Sequence, residues 1–133
     1  DLQCNTIAQM TIAEYLKRYD IDKHIAKIVE VYRKRRNVAI ESIERYFPDT
    51  IEFTRPEGGL FTWIELPEGI SARDVLVRSL EKKIAFVPGG SFYPNGNKEN
   101  TLRINYSNMP EDKIEKGLKT LGEVVKEYIS QSK

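Results

Sequence analysis

One short segment near the end of the chain carries the clearest chemical signal. In Leu102-Arg103-Ile104-Asn105-Tyr106 apolar and polar residues alternate. Side chains alternate along a strand, so Leu102, Ile104 and Tyr106 share one face and Arg103 and Asn105 the other. If the apolar three meet a core, Arg103 faces away from it. An arginine on a rigid strand presents a planar fork of N–H donors that matches a carboxylate in bidentate fashion. The plainer reading is an exposed charge beside a sheet. Spacing alone favours that reading, since surface charges usually contribute little.

Other candidates are weaker. Gly58-Gly59 precedes an apolar run and Gly89-Gly90 follows one. Glycine permits close backbone approach to a ligand, but ordinary turn chemistry explains both pairs as well. Neither pair leads into the Gly-Lys-Ser/Thr of a phosphate loop. Arg33-Lys34-Arg35-Arg36 is the densest basic run. On a helix its members are spread around the circumference at ~100° each, which reads as a solvated helix surface rather than a nucleic-acid groove. Phe61, Trp63, Phe92 and Tyr93 suit a pocket wall, although such aromatics more often fill cores. The single histidine, His24, and the single cysteine, Cys4, belong to no nucleophilic or metal-ligating set. No pair of carboxylates is spaced for acid–base work.

Composition narrows the classes further. The chain has 133 residues, 40% hydrophobic and 31% charged, with a formal net charge of +1. That suits one folded domain and argues against disorder. It gives no global attraction to nucleic acid or anionic lipid. No run approaches the ~18 apolar residues of a membrane span. One cysteine allows no internal disulfide, so a cytoplasmic setting is the default expectation. The chain opens Asp1-Leu2-Gln3 without an initiator methionine and reads as a piece of a longer protein.

The elements that must position Arg103 follow from periodicity. Ile7, Met10, Ala13 and Leu16 form the stripe of an amphipathic helix, broken at Tyr19-Asp20. A long helix carries Ile25, Ile28, Val29, Tyr32, Ala39, Ile43, Tyr46 and Phe47, stops at Pro48, and has Arg36 interrupting its stripe, where it either snorkels or finds a partner. Ile51 to Thr54 and Leu60 to Leu66 read as strands around the turn Pro56-Glu57-Gly58-Gly59. Ser71 and Asp74 form a capping box for a helix with Val75, Leu76 and Leu80 on its apolar face. Ile84 to Val87 and Leu102 to Tyr106 are further strands, separated by the turn at Pro94–Asn97. Pro110 lies in the first turn of a closing helix lined by Ile114, Leu118, Leu121, Val125 and Tyr128. This order gives an α+β fold, a small sheet with helices packed on it.

Taken together, the motifs resemble fold-type I aminotransferases of class I/II. Arg33-x-Arg35-Arg36 on a long helix, Pro56-Glu57-Gly58-Gly59-Leu60-Phe61-Thr62-Trp63, Val87-Pro88-Gly89-Gly90-Ser91-Phe92-Tyr93 and Leu102-Arg103-Ile104-Asn105-Tyr106-Ser107 occur in the family's order. Gly117 and Leu121 in the closing helix also fit. The group containing 2-aminoadipate, kynurenine and branched-chain or aromatic aminotransferases is the most similar.

The resemblance implies the small, C-terminal domain of such an enzyme: a mostly antiparallel sheet of about four strands with helices packed on one face. Residues 1–19 would form the helical segment linking it to a large domain, and 20–133 the small domain. Arg103 falls on the family's substrate-carboxylate arginine. Phe61 and Phe92 would lie near the substrate side chain, and Gly58 and Gly59 would shape the adjoining loop. The cofactor would be pyridoxal 5'-phosphate, held mainly by the large domain, and no lysine here is nominated to bind it. Amino-acid and 2-oxo-acid substrates, a homodimeric parent and a fragment inactive by itself are further implications. Two alternatives compete: the aminotransferase-like effector domain of a helix-turn-helix regulator, and a sheet that binds single-stranded RNA through Phe61 and Trp63. The RNA reading lacks the basic-glycine-aromatic opening such sheets carry.

Overall fold

The computed structural model describes residues 4–96 and 98–132. The opening Asp1-Leu2-Gln3, Asn97 of the expected turn and the terminal Lys133 lie outside the described residues. Helices α1 (Thr6–Arg18) and α2 (Ile21–Tyr46) come first, then strands β1 (Glu52–Phe53) and β2 (Phe61–Glu65). Helix α3 (Ala72–Glu81), strand β3 (Val87–Pro88), a 3-10 turn (Gly89–Phe92), strand β4 (Thr101–Asn105) and helix α4 (Glu111–Gln131) complete the order. The four strands form one antiparallel sheet in the order β1-β2-β4-β3. This is the expected α+β fold.

The chain divides into two compact units, residues 1–31 and 32–133. In the first, α1 starts at Asn5, whose side chain accepts from the Ala8 amide at 3.1 Å. Arg18 reaches back one turn to Glu14 at 2.7 Å. The Asp20 carboxylate accepts from the amides of Asp22 and Lys23, capping α2. Those bonds hold its carboxyl below the ordinary carboxylate value. The apolar stripe of α1 is present but uncovered, with Ile7 76% and Met10 67% exposed and no residue buried.

The second unit holds the core. Ala39 and Ile43 descend from α2, Phe47 from the residue just after it, Val75 from α3, and Ile114, Leu118, Leu121 and Val125 from α4. They meet Ile64, Leu102, Ile104 and Tyr106 from the sheet side. The long stripe expected on α2 is thus buried only in its second half; Ile25 and Val29 stay about half exposed. On α3 the expected Leu80 is exposed, and Ser79 is buried in its place. The Ser79 hydroxyl makes that possible by meeting the carbonyls of Leu76 and Ile84 at 2.9 and 3.0 Å. The run from Ile84 pairs only at Val87–Pro88, because Lys83 turns the chain with φ 62° and the Ile84 amide bonds back to Ser79. Pro110 sits one position before the first helical residue of α4 rather than inside its first turn.

Candidate functional site

The β2–β4 pair is the platform. Its register places Trp63 opposite Arg103, Phe61 opposite Asn105, Thr62 opposite Ile104 and Ile64 opposite Leu102. Directly paired residues share a face. Thr62, Ile64, Leu102 and Ile104 are all buried on the helix side. Phe61, Trp63, Arg103 and Asn105 therefore occupy the other, open face. Val87 of β3 flanks Arg103 on its second side.

On that face Arg103 is surrounded by rings. Its guanidinium carbon lies 4.2 Å from the Phe61 ring centroid and 4.8 Å from that of Phe92. Both are cation–π distances, and the rings screen the cation from water. Phe92 arrives from the 3-10 turn and packs edge-on against Trp63 at 5.8 Å. Tyr93 meets the same indole at 6.2 Å. Arg103 Nε is buried without a hydrogen-bond partner, and no carboxylate pairs with the guanidinium among the described residues. A desolvated donor without an acceptor is costly unless something outside the chain answers it.

The structure thus brings Arg103, Phe61 and Phe92 together. Gly58 and Gly59 sit apart from that contact set, in the loop leading into Phe61. Gly59 has φ +82°, a conformation that favours glycine, and a side chain at either position would meet open space. Trp63 and Gly89 were weaker candidates whose roles are packing. A Cβ on Gly89 would stand 2.2 Å from Thr101 Oγ1 and 2.7 Å from the Trp63 ring. Only glycine lets the turn carrying Phe92 close on the indole. In sequence that glycine looks like half of an ordinary turn pair.

The basic run on α2 is also more than a solvated surface. Arg33 and Lys34 are exposed, but Arg35 and Arg36 are half-buried. Arg36 donates to the carbonyls of Glu57 at 3.0 Å and Pro56 at 3.5 Å. Arg35 donates to the Ser107 carbonyl. Next along the same loop, the Tyr106 hydroxyl donates to the Gly58 carbonyl at 3.2 Å. Burial pushes the Tyr106 phenol above its ordinary value, with the nearby Arg36 charge opposing.

A groove of about 660 Å³ opens at the other end of the strands, lined by Glu52, Glu65, Glu68, Lys98 and Glu99 among others. Arg103 is not among its walls, and its acidic character suits an anion poorly. Lys98, the lysine nearest Arg103 in sequence, is bound by Glu65 at 3.1 Å, which raises its pKa. A lysine that bonds a carbonyl cofactor must lose its proton, and Glu65 opposes that. The planar guanidinium of Arg103 has the donors to pair with a carboxylate, whereas Lys98 is held by Glu65 and is poorly suited to anchor a carbonyl cofactor. No group of three or more His, Cys, Asp or Glu suited to a metal ion occurs among the described residues.

A four-stranded antiparallel sheet with helices packed on it is the architecture expected of an aminotransferase small domain. Residues 3–121 match the family Aminotransferase class I and II, and the chain belongs to that family. It is 41% identical over 131 residues to aromatic-amino-acid aminotransferase 1 of Thermococcus litoralis, covering 98% of this chain and 31% of that protein. The crystal structure of LysN, the α-aminoadipate aminotransferase of Thermus thermophilus, complexed with N-(5'-phosphopyridoxyl)-L-leucine, superposes with a TM-score of 0.90. That similarity has 37% identity and spans 98% of this chain and 33% of that one. An uncharacterized HTH-type transcriptional regulator of Escherichia coli, YjiR, is 34% identical over 88% of this chain and 25% of its own length. The chain spans less than a third of the curated relatives it matches. No described helix is long and apolar enough to cross a membrane.

Proposed function

We propose that this chain is the C-terminal, small domain of a pyridoxal-phosphate-dependent aminotransferase, and that Arg103 binds the α-carboxylate of the amino-acid and 2-oxo-acid substrates. The observation that carries the reading is the state of Arg103. It is fixed on a central strand, flanked by Phe61 and Phe92, and its fork lacks an acidic partner among the described residues. A ring-lined, partly desolvated site strengthens a charge-assisted pair with a carboxylate relative to the same pair in water.

Each residue then has a stated task. Arg103 grips the carboxylate, which fixes the direction of the Cα–H bond. Phe61 and Phe92 shield that pair and border the substrate side chain, and Gly58 and Gly59 shape the loop beside it. Bound pyridoxal phosphate supplies the electron sink for charge developing at Cα. Its holding lysine and phosphate contacts belong to a large domain outside this chain, so the isolated chain should not transaminate.

In the same reading residues 1–19 link the two domains and 20–133 form the small domain. The uncovered stripe of α1 supports this, since a linking helix needs a partner surface for its apolar side. A cytoplasmic homodimer acting in amino-acid metabolism is the parent we propose. The regulator reading ranks lower because identity to the aminotransferase of Thermococcus litoralis exceeds that to YjiR.

The test is Arg103→Ala in the cofactor-loaded parent. It should raise KM and lower kcat/KM by about 2–4 kcal/mol of transition-state stabilisation. Near-wild-type kinetics would refute the assignment.

A further inference from the structure

Two consecutive arginines on α2 reach the two chain ends of the β2–β4 pair. Arg36 takes the carbonyls of Pro56 and Glu57, just before β2. Arg35 takes the carbonyl of Ser107, just after β4. Tyr106 closes the set from the strand side by holding the Gly58 carbonyl, while its amide bonds Leu60 at 3.1 Å. Three successive loop carbonyls, Pro56 to Gly58, are therefore tied to a helix and to the neighbouring strand. Phe61 is the first residue of β2 beyond that loop, and Arg103 lies two pairs along the register from Phe61's partner Asn105.

Loop carbonyls of this kind are ordinarily left to water. Capture by guanidinium groups uses charge-assisted bonds, and one Arg36 nitrogen serves two acceptors. Arg35 keeps its Nε buried without a hydrogen-bond partner, so its place is not explained by solvation of that side chain. Fixing both strand ends fixes where the Phe61 ring stands, and that ring is one of the two against the Arg103 fork.

We propose that Arg35 and Arg36 are positioning residues for carboxylate recognition: they latch the open end of the β2–β4 pair and thereby hold Phe61 and Arg103 in the geometry that receives substrate. This rests on the Arg103 reading above. Arg36 touches no substrate in this account and acts through the loop. Lysine in its place keeps the charge but loses the planar fork that fixes the direction of the donated bonds.

The experiment uses the cofactor-loaded parent carrying Arg36→Gln, Arg36→Lys, Arg103→Lys and the Arg36→Gln/Arg103→Lys double variant. Arg36→Gln should raise the amino-acid KM about tenfold, more than it lowers kcat, with Arg36→Lys intermediate. A merely structural role would reduce the amount of active protein and leave the KM of the folded fraction where it was. In the Arg103→Lys background Arg36→Gln should add little, because the two act on one interaction. Fully additive effects overturn the latch. Hydrogen exchange supplies a readout that does not depend on activity: Arg36→Gln should speed exchange of the Tyr106 amide about tenfold relative to amides of α4. If Arg103→Lys leaves KM unchanged, the carboxylate reading fails, and exchange alone then judges the latch. Unchanged Tyr106 exchange overturns it.

Discussion

The two faces of the β2–β4 pair obey different rules. The helix side is a closed apolar layer in which Ile64 and Leu102 are fully buried and the one polar residue, Thr62, gives its hydroxyl to the Thr54 carbonyl at 2.7 Å. The open side has Trp63 as its floor, Phe61 and Phe92 as exposed walls, and Arg103 with a buried nitrogen that has no partner. One face minimises unsatisfied groups, while the other keeps one. A buried donor of that kind, on an otherwise well-satisfied sheet, is what the proposed carboxylate contact would answer.

The comparison breaks first at the core. Ile64→Ala should destabilise the protein by about 3 kcal/mol, since it opens a cavity among buried side chains. Phe61→Ala, on the opposite face and 39% exposed, should change stability by about 1 kcal/mol or less. Denaturant melts of both variants decide this, and equal losses would erase the distinction between the faces. Gly89→Ala comes next. The added methyl collides with Thr101 and Trp63, so an overpacking loss of about 2 kcal/mol is expected, with Trp63 fluorescence altered by displacement of the Phe92 turn. An alanine there without effect would mean that the turn does not rest on the indole.

A comparably small effect belongs to Tyr106. Loss of its bond to Gly58 in Tyr106→Phe should cost about 1 kcal/mol at neutral pH. Burial raises this phenol's pKa in the folded protein. Its contribution is therefore complete below the ordinary value of 10.0 and is lost as pH rises through the higher folded value. Stability measured against pH should fall more steeply above pH 10.0 in the wild type than in Tyr106→Phe. Parallel curves would show that the hydroxyl is not buried against the loop.

Much of this was legible from residue order. The alternation around Arg103 announces its face because a half-buried strand has period two, and the buried Leu102, Ile104 and Tyr106 follow that pattern. Periodicity says which side of a helix is apolar but not whether a partner covers it. Hence Ile25, Val29 and the α1 stripe were expected on buried faces and are exposed. Ser79 was unreadable because its burial depends on two carbonyls brought up by the turn at Lys83. At the site, the direction of Arg103 could be read locally, whereas its contact with Phe92 depends on the 3-10 turn and on the missing Cβ of Gly89. Reading the basic run as solvated has the same origin, although Arg36, expected to snorkel or to find a partner, does find one. Four charges spread around a helix look solvated until a distant loop supplies carbonyls to two of them.

The most direct measurement is ligand preference in the cofactor-loaded parent, with and without Arg103. Binding of an L-amino acid is compared with binding of the amine left when its carboxyl group is removed. The account predicts that the wild type prefers the amino acid and that Arg103→Ala abolishes most of that preference, a change of about a hundredfold, by weakening the amino acid alone. An Arg103→Ala protein that keeps the wild-type preference would contradict it.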